Sequence, residues 1–290
     1  MTTDKIKIKL QGHEKFGLRD GWLTKGFRLV DEGGERNVFI SENATDVFGI
    51  GKNMVKSLRY WMRAFNLTVD RPNAPVVLSD LGETIYLYDR YLEDDFTLWV
   101  LHSQISKNIT EATSWYMFFN YCTADELTKD QIVAILNREI EAYAEGIKFS
   151  KNSLVNDVDV MLHMYSRNRE KNDPEEKTTS PFSELGLLRK TGNTYLRLAP
   201  DNRRINEWII LYEVACALDN ELSISIEQLC KATNGIERIY HLSNVRANEL
   251  LDKLDDLRYI RVNRTAGLDM IYVETPLDPL DVIRSYYNQR

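Results

Sequence analysis

A glycine–lysine pair, Gly51-Lys52, stands directly before a helix-patterned run in "NATDVFGIGKNMVKSLRYWMRAFNL", residues 43–67. Two chemistries use such a pair. A phosphate-binding loop needs a glycine five residues before Gly51, so that backbone N–H groups wrap the phosphates, and a Ser or Thr after the lysine to hold magnesium. Asp46 and Asn53 occupy those positions. A carboxylate repels phosphate and an amide replaces the hydroxyl poorly, so the nucleotide reading is set aside. The second chemistry is DNA reading by a helix-turn-helix, which needs a small turn residue, an apolar residue after it, and an apolar stripe pinning the second helix. Gly49 and Ile50 meet the first two needs, and Val55, Leu58, Met62 and Phe65 supply the stripe. Lys52, Asn53 and Lys56 then lie near the helix N-terminus, within reach of base edges, while Arg59 and Arg63 follow at positions suited to backbone phosphates. Tyr60 and Trp61 read as packing residues. A structural helix pair shares this pattern, so the motif alone does not separate the two.

Other chemistry finds little support. Asp94-Asp95 and the pair Asp157 and Asp159 lack a second cluster of His or carboxylates that would complete an acid–base or metal site, and capping or exposed roles are expected for them. His13, His102, His163 and His241 are dispersed without ligand spacing. Cys122, Cys216 and Cys230 are far apart, which argues against a disulfide framework or a zinc site and for buried small hydrophobes. No catalytic residue, metal or cofactor is expected.

The elements that must position the basic helix belong to a chain of 290 residues, enough for two or three compact units. It is 43% hydrophobic and 28% charged, an ordinary globular composition. The start "MTTDKIKIKL" lacks the apolar stretch of a signal peptide and no later run is long enough to span a membrane, so a cytoplasmic protein without membrane contact is expected. Net charge is −7, yet it is uneven: residues 1–67 carry 12 Lys/Arg against 8 Asp/Glu, whereas residues 68–202 carry 14 against 22 and residues 203–274 carry 9 against 12. A local basic face, not the overall sign, is what concentrates phosphate. A merely solvated face remains the alternative.

Further along, "LGETIYLYDRYLEDDFTLWVLHSQISKNITEATSWYMFFNY" is dense in aromatic residues, which predicts core more than a base-stacking surface. "ELTKDQIVAILNREIEAYAEG" and "NSLVNDVDVMLHMYSRN" read as amphipathic helices, and the polar, proline-bounded "SRNREKNDPEEKTTSP" as a linker. From Arg203 the pattern gives a helix through Ile205, Trp208, Ile209, Tyr212 and Ala215, a shorter one from near Ser225, and a third capped by Ser243. A hairpin follows, with Ile260 and Val262 leading to a turn at 265–267 and a return through Ile271 and Val273. Three helices and a hairpin are the order of a winged helix. Such a module would read DNA through Asn244, Arg246 and Asn248, with Arg261 and Arg264 on phosphate. Asp252, Asp255 and Asp256 oppose that, so DNA contact and protein or dimer contact stand equally.

The fold expected is therefore mainly α with small β hairpins: a helix-turn-helix region at 1–67, an aromatic-rich helical middle at 68–166, a linker at 167–182 and a C-terminal winged helix at 183–290. The cluster His13, Glu14, Arg19, Trp22 and Lys25 in "GHEKFGLRDGWLTKGF" fits either a buried polar network or a phosphate-facing patch.

That segment, with "GIGKNMVKSLRYWMRAFNL", "YLEDDFTLWVLHSQI", "SWYMFFNY", "NSLVNDVDVMLHMY" and "PFSELGLL", resembles the family labelled domain of unknown function 4007 over most of the chain. The family has no catalytic signature to carry over. Its members are often encoded beside genes resembling sulfate-activating reductases and other parts of DNA phosphorothioate modification or phage-defence systems. The resemblance implies a non-enzymatic accessory or DNA-recognition component of such a system. Duplex DNA is the expected partner, with DNA-modification proteins and a second copy of the chain as further ones. A scaffold holding a sulfur-transfer or modification enzyme is the alternative; a nuclease or sulfur-transfer enzyme assembled from scattered residues is the third reading. If phosphorothioate is the target, Met54, Tyr60 and Trp61 interleave apolar contacts with Lys56 and Arg59.

Overall fold

Gly21, at φ 71, turns the chain into α1 (Trp22–Asp31), after which come a 3-10 turn (Val38–Ile40), α2 (Ala44–Phe48) and α3 (Lys52–Ala64). The structure is a computed structural model that describes residues 6–33, 37–72, 74–166, 180–265 and 267–290. It is a mixed α/β protein, about 54% helical, with small antiparallel sheets. The expected stripe of α3 is buried, and so are Ser57, Tyr60, Trp61 and Ala64. Ser57 Oγ and Trp61 Nε1 both donate to the Phe16 carbonyl, which wraps residues 10–18 over a helix that is amphipathic by pattern but enclosed on more than one side. A two-stranded ribbon, β1 (Thr68–Val69) and β2 (Val77–Leu78), leads to α4 (Asp80–Asp89). There Gly82 lies so close to the Leu67 carbonyl that a Cβ would meet it at 2.1 Å. Only glycine fits that contact.

The middle begins with α5 (Asp95–Lys107), whose buried residues include Leu98, Trp99, Leu101, His102 and Ile105, so apolar side chains surround it. A helix apolar on every side needs neighbours on every side. They are α6 (Thr113–Tyr121), a 3-10 turn (Pro181–Leu185) and the first helix of the C-terminal part. Between these run β3 (Glu126–Thr128), α7 (Lys129–Tyr143) and α8 (Lys151–Tyr165). A reciprocal cap between Thr128 and Gln131 starts α7, and Ser150 caps α8. After the turn come β4 (Leu188–Thr191) and β5 (Thr194–Arg197), joined by Gly192-Asn193 with Gly192 at φ 57. Of the expected linker, residues 167–179 lie outside the described residues; 180–182 begin the 3-10 turn.

The C-terminal part holds α9 (Glu207–Leu218), β6 (Ser223–Ser225), α10 (Ile226–Lys231), α11 (Ile236–Ile239), α12 (Asn244–Asp256), β7 (Arg261–Thr265), β8 (Leu268–Tyr272) and α13 (Pro279–Asn288). Ser225 and Ser243 cap α10 and α12, as the sequence signals require. The β content exceeds the hairpins expected. β6 adds to β8 to make the order β6-β8-β7, and β3 adds to β5 to make β3-β5-β4. The hairpin β4–β5 lies inside the segment assigned above to the C-terminal domain, yet it pairs with β3, Leu127 opposite Tyr195. One order, helix, strand, helices, hairpin, thus occurs twice: once from α6 to β5 and once from α9 to β8.

A buried polar group joins the second of these to α5. Glu213 of α9 is 2% exposed, accepts from Ser103 Oγ at 2.6 Å and Tyr240 Oη at 2.5 Å, and pairs with Lys107. The C-terminal helix closes back on the N-terminal part, with Tyr287 stacked on Tyr88 at 5.3 Å and Tyr286 Oη donating to Asp94. Among the described residues no helix is long and apolar enough to cross a membrane.

Beside Glu213, His102 is wholly buried; Nδ1 meets Tyr165 Oη at 2.8 Å and Nε2 meets the Ile239 carbonyl at 2.7 Å. Burial lowers its pKa from 6.5 to about 4. The folded state therefore keeps His102 neutral where the unfolded chain takes up a proton. Its contribution to stability is complete above about pH 6.5 and lost as pH falls towards 4, by roughly 3 kcal/mol in full. His241 shifts in the same direction, again through burial. Urea unfolding followed from pH 7 to 4 is expected to show stability falling with acid, and His102→Gln to remove about one proton from that dependence. An unchanged slope in the variant would place the acid sensitivity elsewhere.

Candidate nucleic-acid interface

The α2–α3 turn is built as the basic motif requires. Gly49 ends α2 in the left-handed region at φ 63, Gly51 is extended, and α3 starts at Lys52. Lys52, Asn53 and Lys56 are exposed. Arg59 and Arg63 are not free cations. The Arg59 guanidinium pairs with Asp70, Nε to Oδ2 at 2.7 Å, and Asp70 also accepts from Asn37 Nδ2 at 3.0 Å. Arg63 Nη2 lies 2.6 Å from Glu111, and Lys56 Nζ 3.6 Å from Glu14. These partners stand 11, 48 and 42 residues away in the chain, beyond the reach of a local spacing argument.

The same side chains line a groove. A cavity of about 710 Å³ is bordered by Asn37, Ile40, Glu42, Arg59, Arg63, Asp70 and Arg71, and a neighbouring pocket of about 160 Å³ shares Ile40, Arg59 and Arg63 and adds Lys9, Lys56 and Glu111. Ile40, 67% exposed, forms its apolar lip. The apolar contacts expected from Tyr60 and Trp61 are withdrawn into the core, at 6% and 0% exposure, because both pack beneath α3 against His13.

The cluster left open by sequence divides. His13 is fully buried, stacked on Trp61 at 5.8 Å, with Nε2 2.8 Å from Asp157 Oδ1. Asp157 also accepts from the Gln11 N–H at 2.7 Å and from Ser114 Oγ at 2.6 Å. This is the buried network. Arg19 instead lies over the Phe16 and Trp22 rings, and Lys25 Nζ donates to the Phe48 carbonyl at the end of α2, where a cation suits the helix dipole.

In the C-terminal part, the residues proposed to read bases and phosphate engage neighbouring side chains, most of them carboxylates. Arg264 donates to Asp252 at 2.6 Å and to Asn248 Oδ1 at 2.9 Å. Arg246 pairs with Glu249 at 3.0 Å, Asn244 donates to Glu237, and Arg261 lies over the Tyr272 ring. Val245, 68% exposed, projects from the start of α12. Sequence reading missed the hairpin β4–β5, although "KTGNTY" carries a two-residue glycine turn between β-forming residues.

The carboxylate pairs hold structural positions. Asp94 caps α5 through the Phe96 N–H, Asp95 takes Arg204 at 2.7 Å, and Asp159 takes Lys129 at 2.6 Å. Burial pushes the thiols of Cys122 and Cys230 up to about 12 and that of Cys216 to about 11, which keeps them protonated and poorly nucleophilic. Among the described residues no group of three or more His, Cys, Asp or Glu is placed to hold a metal ion.

Residues 10–287 match the family model described as "Protein of unknown function (DUF4007)", and the chain belongs to that family. No protein of curated function matches it by sequence. Its fold is similar to an SspB crystal structure, with a TM-score of 0.83 and 24% identity over 97% of this chain and 87% of that one. A magnesium ion-bound SspB crystal structure gives a TM-score of 0.82 at 23% identity, with the same coverage.

The pairing of Arg59 generates a direct test of the groove. Asp70→Asn removes the charge while keeping the shape, and because Asp70 is only 13% exposed and also accepts from Asn37, the change is expected to cost on the order of 1–3 kcal/mol. If nucleic acid enters the groove, the released guanidinium is expected to tighten duplex binding and steepen the log–log salt dependence by about one unit. Equal affinity and slope in a folded variant would exclude Arg59 from the interface.

Proposed function

We propose that this DUF4007 protein is a non-enzymatic, duplex-DNA-binding component of a DNA phosphorothioate modification or phage-defence system. The observation that carries the DNA part is the groove beside α3, where Lys9, Lys56, Arg59, Arg63 and Arg71 converge on one cavity system. The guanidiniums are held in place by carboxylates, so a phosphate arriving there meets donors already oriented and competes with Asp70 and Glu111 for them. The order of elements from α9 to β8 is that of a winged helix, and the turn before α3 fits a helix-turn-helix; both support the same reading. Membership in the family supports the phosphorothioate part.

Asp89, Asp94 and Asp95 are among the acidic side chains that line a pocket of about 650 Å³. Asp95 is held by Arg204, Asp94 accepts from Tyr286 and pairs with Arg290, and Asp89 accepts from the Glu93 and Asp94 N–H groups. Their lone pairs are engaged, so this donor set does not fit a resident magnesium ion and no step is derived through one.

A scaffold reading has its own observation. Asp252 of α12 neutralises Arg264 of β7, while Val245 and Leu257 are exposed at 68% and 49%. That surface suits protein contact better than phosphate.

Duplex titrations over a range of salt separate the readings. DNA binding through the groove is expected to give a steep slope, and replacing Lys52, Lys56 and Arg59 together by Ala to shallow it by about 2–3 units. A folded triple variant that binds as before would remove the groove from the interface. Although Ile40, 67% exposed, offers an apolar contact at the groove, matched duplexes with and without sulfur are expected to differ by less than about tenfold, since phosphate charge dominates affinity. A preference of a hundredfold would make the isolated chain the modification reader.

A further inference from the structure

At the C-terminal end of α8 a pocket of about 180 Å³ is bordered by Lys15, Gly17, Leu18, Arg19, His163 and Ser180. Three segments meet there. Gly17 approaches α8 so closely that a Cβ would lie 3.2 Å from Met164 Cγ, which seats residues 15–19 on the helix end. His163 stands in the last turn of α8, and Ser180 opens the 3-10 turn Pro181–Leu185, which packs against the same helix. Among the described residues no carboxylate borders this pocket. Glu14, next to Lys15 in sequence, pairs with Lys56, and Asp157 is engaged by His13, Ser114 and the Gln11 N–H. The negative end of α8 is muted, because the Leu162 carbonyl accepts from both the N–H and the hydroxyl of Ser166.

What the pocket offers is donors without acceptors. The N–H groups of Lys15 and Phe16 are taken up by His13, through Nδ1 and the carbonyl. Those of Gly17, Leu18 and Arg19 donate to no group among the described residues. Leu18 is 1% exposed, so its N–H lies where unpaired donors are rare. The Ser180 hydroxyl, on a residue 4% exposed, accepts from the Phe182 N–H at 3.4 Å and donates to nothing described. Two cations complete the set. The Arg19 guanidinium is held over the Phe16 and Trp22 rings, at 5.9 and 5.5 Å, and the Lys15 side chain is exposed; neither forms an ion pair among the described residues.

We infer that this pocket binds a single phosphate-like oxyanion, held by Arg19, Lys15 and the N–H groups of residues 17–19. The chemistry follows from the donors: successive backbone N–H groups form an anion-binding concavity, a guanidinium fixed by aromatic faces presents a planar fork, and a lysine adds a point charge. Size narrows the class. At about 30 Å³ per water, 180 Å³ holds roughly six waters, enough for a tetrahedral oxyanion with part of its hydration shell. It falls below the roughly 300–1,000 Å³ of sites that enclose an organic ligand, so no nucleoside enters with the anion. Inorganic phosphate and a phosphate of a DNA backbone share this chemistry. The site is distinct from the groove at α3 and stands without the DNA-binding reading.

The test uses the full chain and inorganic phosphate, titrated by calorimetry at fixed ionic strength in chloride. Lys15→Gln with Arg19→Gln is expected to lose at least about tenfold in phosphate affinity, since charge-assisted donors are removed. A control with equal charge change, Lys231→Gln with Arg258→Gln, and the variant with Lys52, Lys56 and Arg59 replaced by Ala are expected to stay within about twofold. Lys15→Gln alone, at an exposed side chain, keeps the test decisive if the double variant does not fold, and is expected to lose about threefold. No phosphate binding by the unchanged protein, equal losses in the control, or a loss confined to the Lys52, Lys56 and Arg59 variant overturns the pocket; the last of these leaves the groove reading intact. Duplex binding by the same proteins, followed by fluorescence anisotropy, separates the sources. A double variant that loses phosphate and duplex affinity together supports a DNA phosphate in the pocket, and one that loses phosphate affinity alone supports a free anion.

Discussion

A single buried carboxylate, Glu213, fixes how the halves of the chain meet. A charge at 2% exposure is tolerated only where partners replace its hydration, and here they come from separate parts of the sequence: Ser103 and Lys107 on α5, Tyr240 after α11. Removing any one leaves the others facing a charge that water cannot reach. The arrangement therefore specifies one docking of α9 on α5, where packing of apolar faces alone would permit sliding. Because α5 is enclosed on all sides, that docking also fixes α6, and through α6 the position of β3, α7 and α8. The Asp157 network does the same work at the other side of the middle, tying residues 11–13 to α6 and α8.

What the sequence made legible follows from this. Capping and periodicity are local, so the helices opened by Ser225 and Ser243 were readable, as was the Gly49 turn and the buried stripe of α3. The sheets were less so, because β3 has three residues and finds its partner about 70 positions later, where no turn signal connects the two. The hairpin β4–β5 carried its own turn signal and went unread beside the charged stretch that precedes it. At the groove, residue types were readable and their electrostatic state was not. Whether Arg59 is a free cation depends on Asp70, and whether His13 faces solvent depends on Asp157, 144 residues away.

The pairing pattern divides the basic side chains into two kinds. Arg59 and Arg63 are about a third exposed and held by carboxylates, so their guanidiniums lose little freedom when a ligand arrives but yield little net charge to the surrounding solvent. Lys148, Lys151 and Lys190 are exposed and unpaired among the described residues, which gives the opposite balance: a field felt at a distance and little geometric definition.

This division also bears on the net charge of −7, which at first sight opposes a polyanionic partner. Long-range repulsion between exposed charges is screened beyond about 8 Å at physiological ionic strength, so acids on remote faces weigh little against cations at the contact. What matters is whether the acids close to those cations are already engaged. Asp70, Glu111 and Asp159 each hold a cation, which turns local negative charge from a repulsive field into a set of fixed pairs. The acid-rich face of α12 lacks such full compensation, since Asp255 and Asp256 form no ion pair among the described residues.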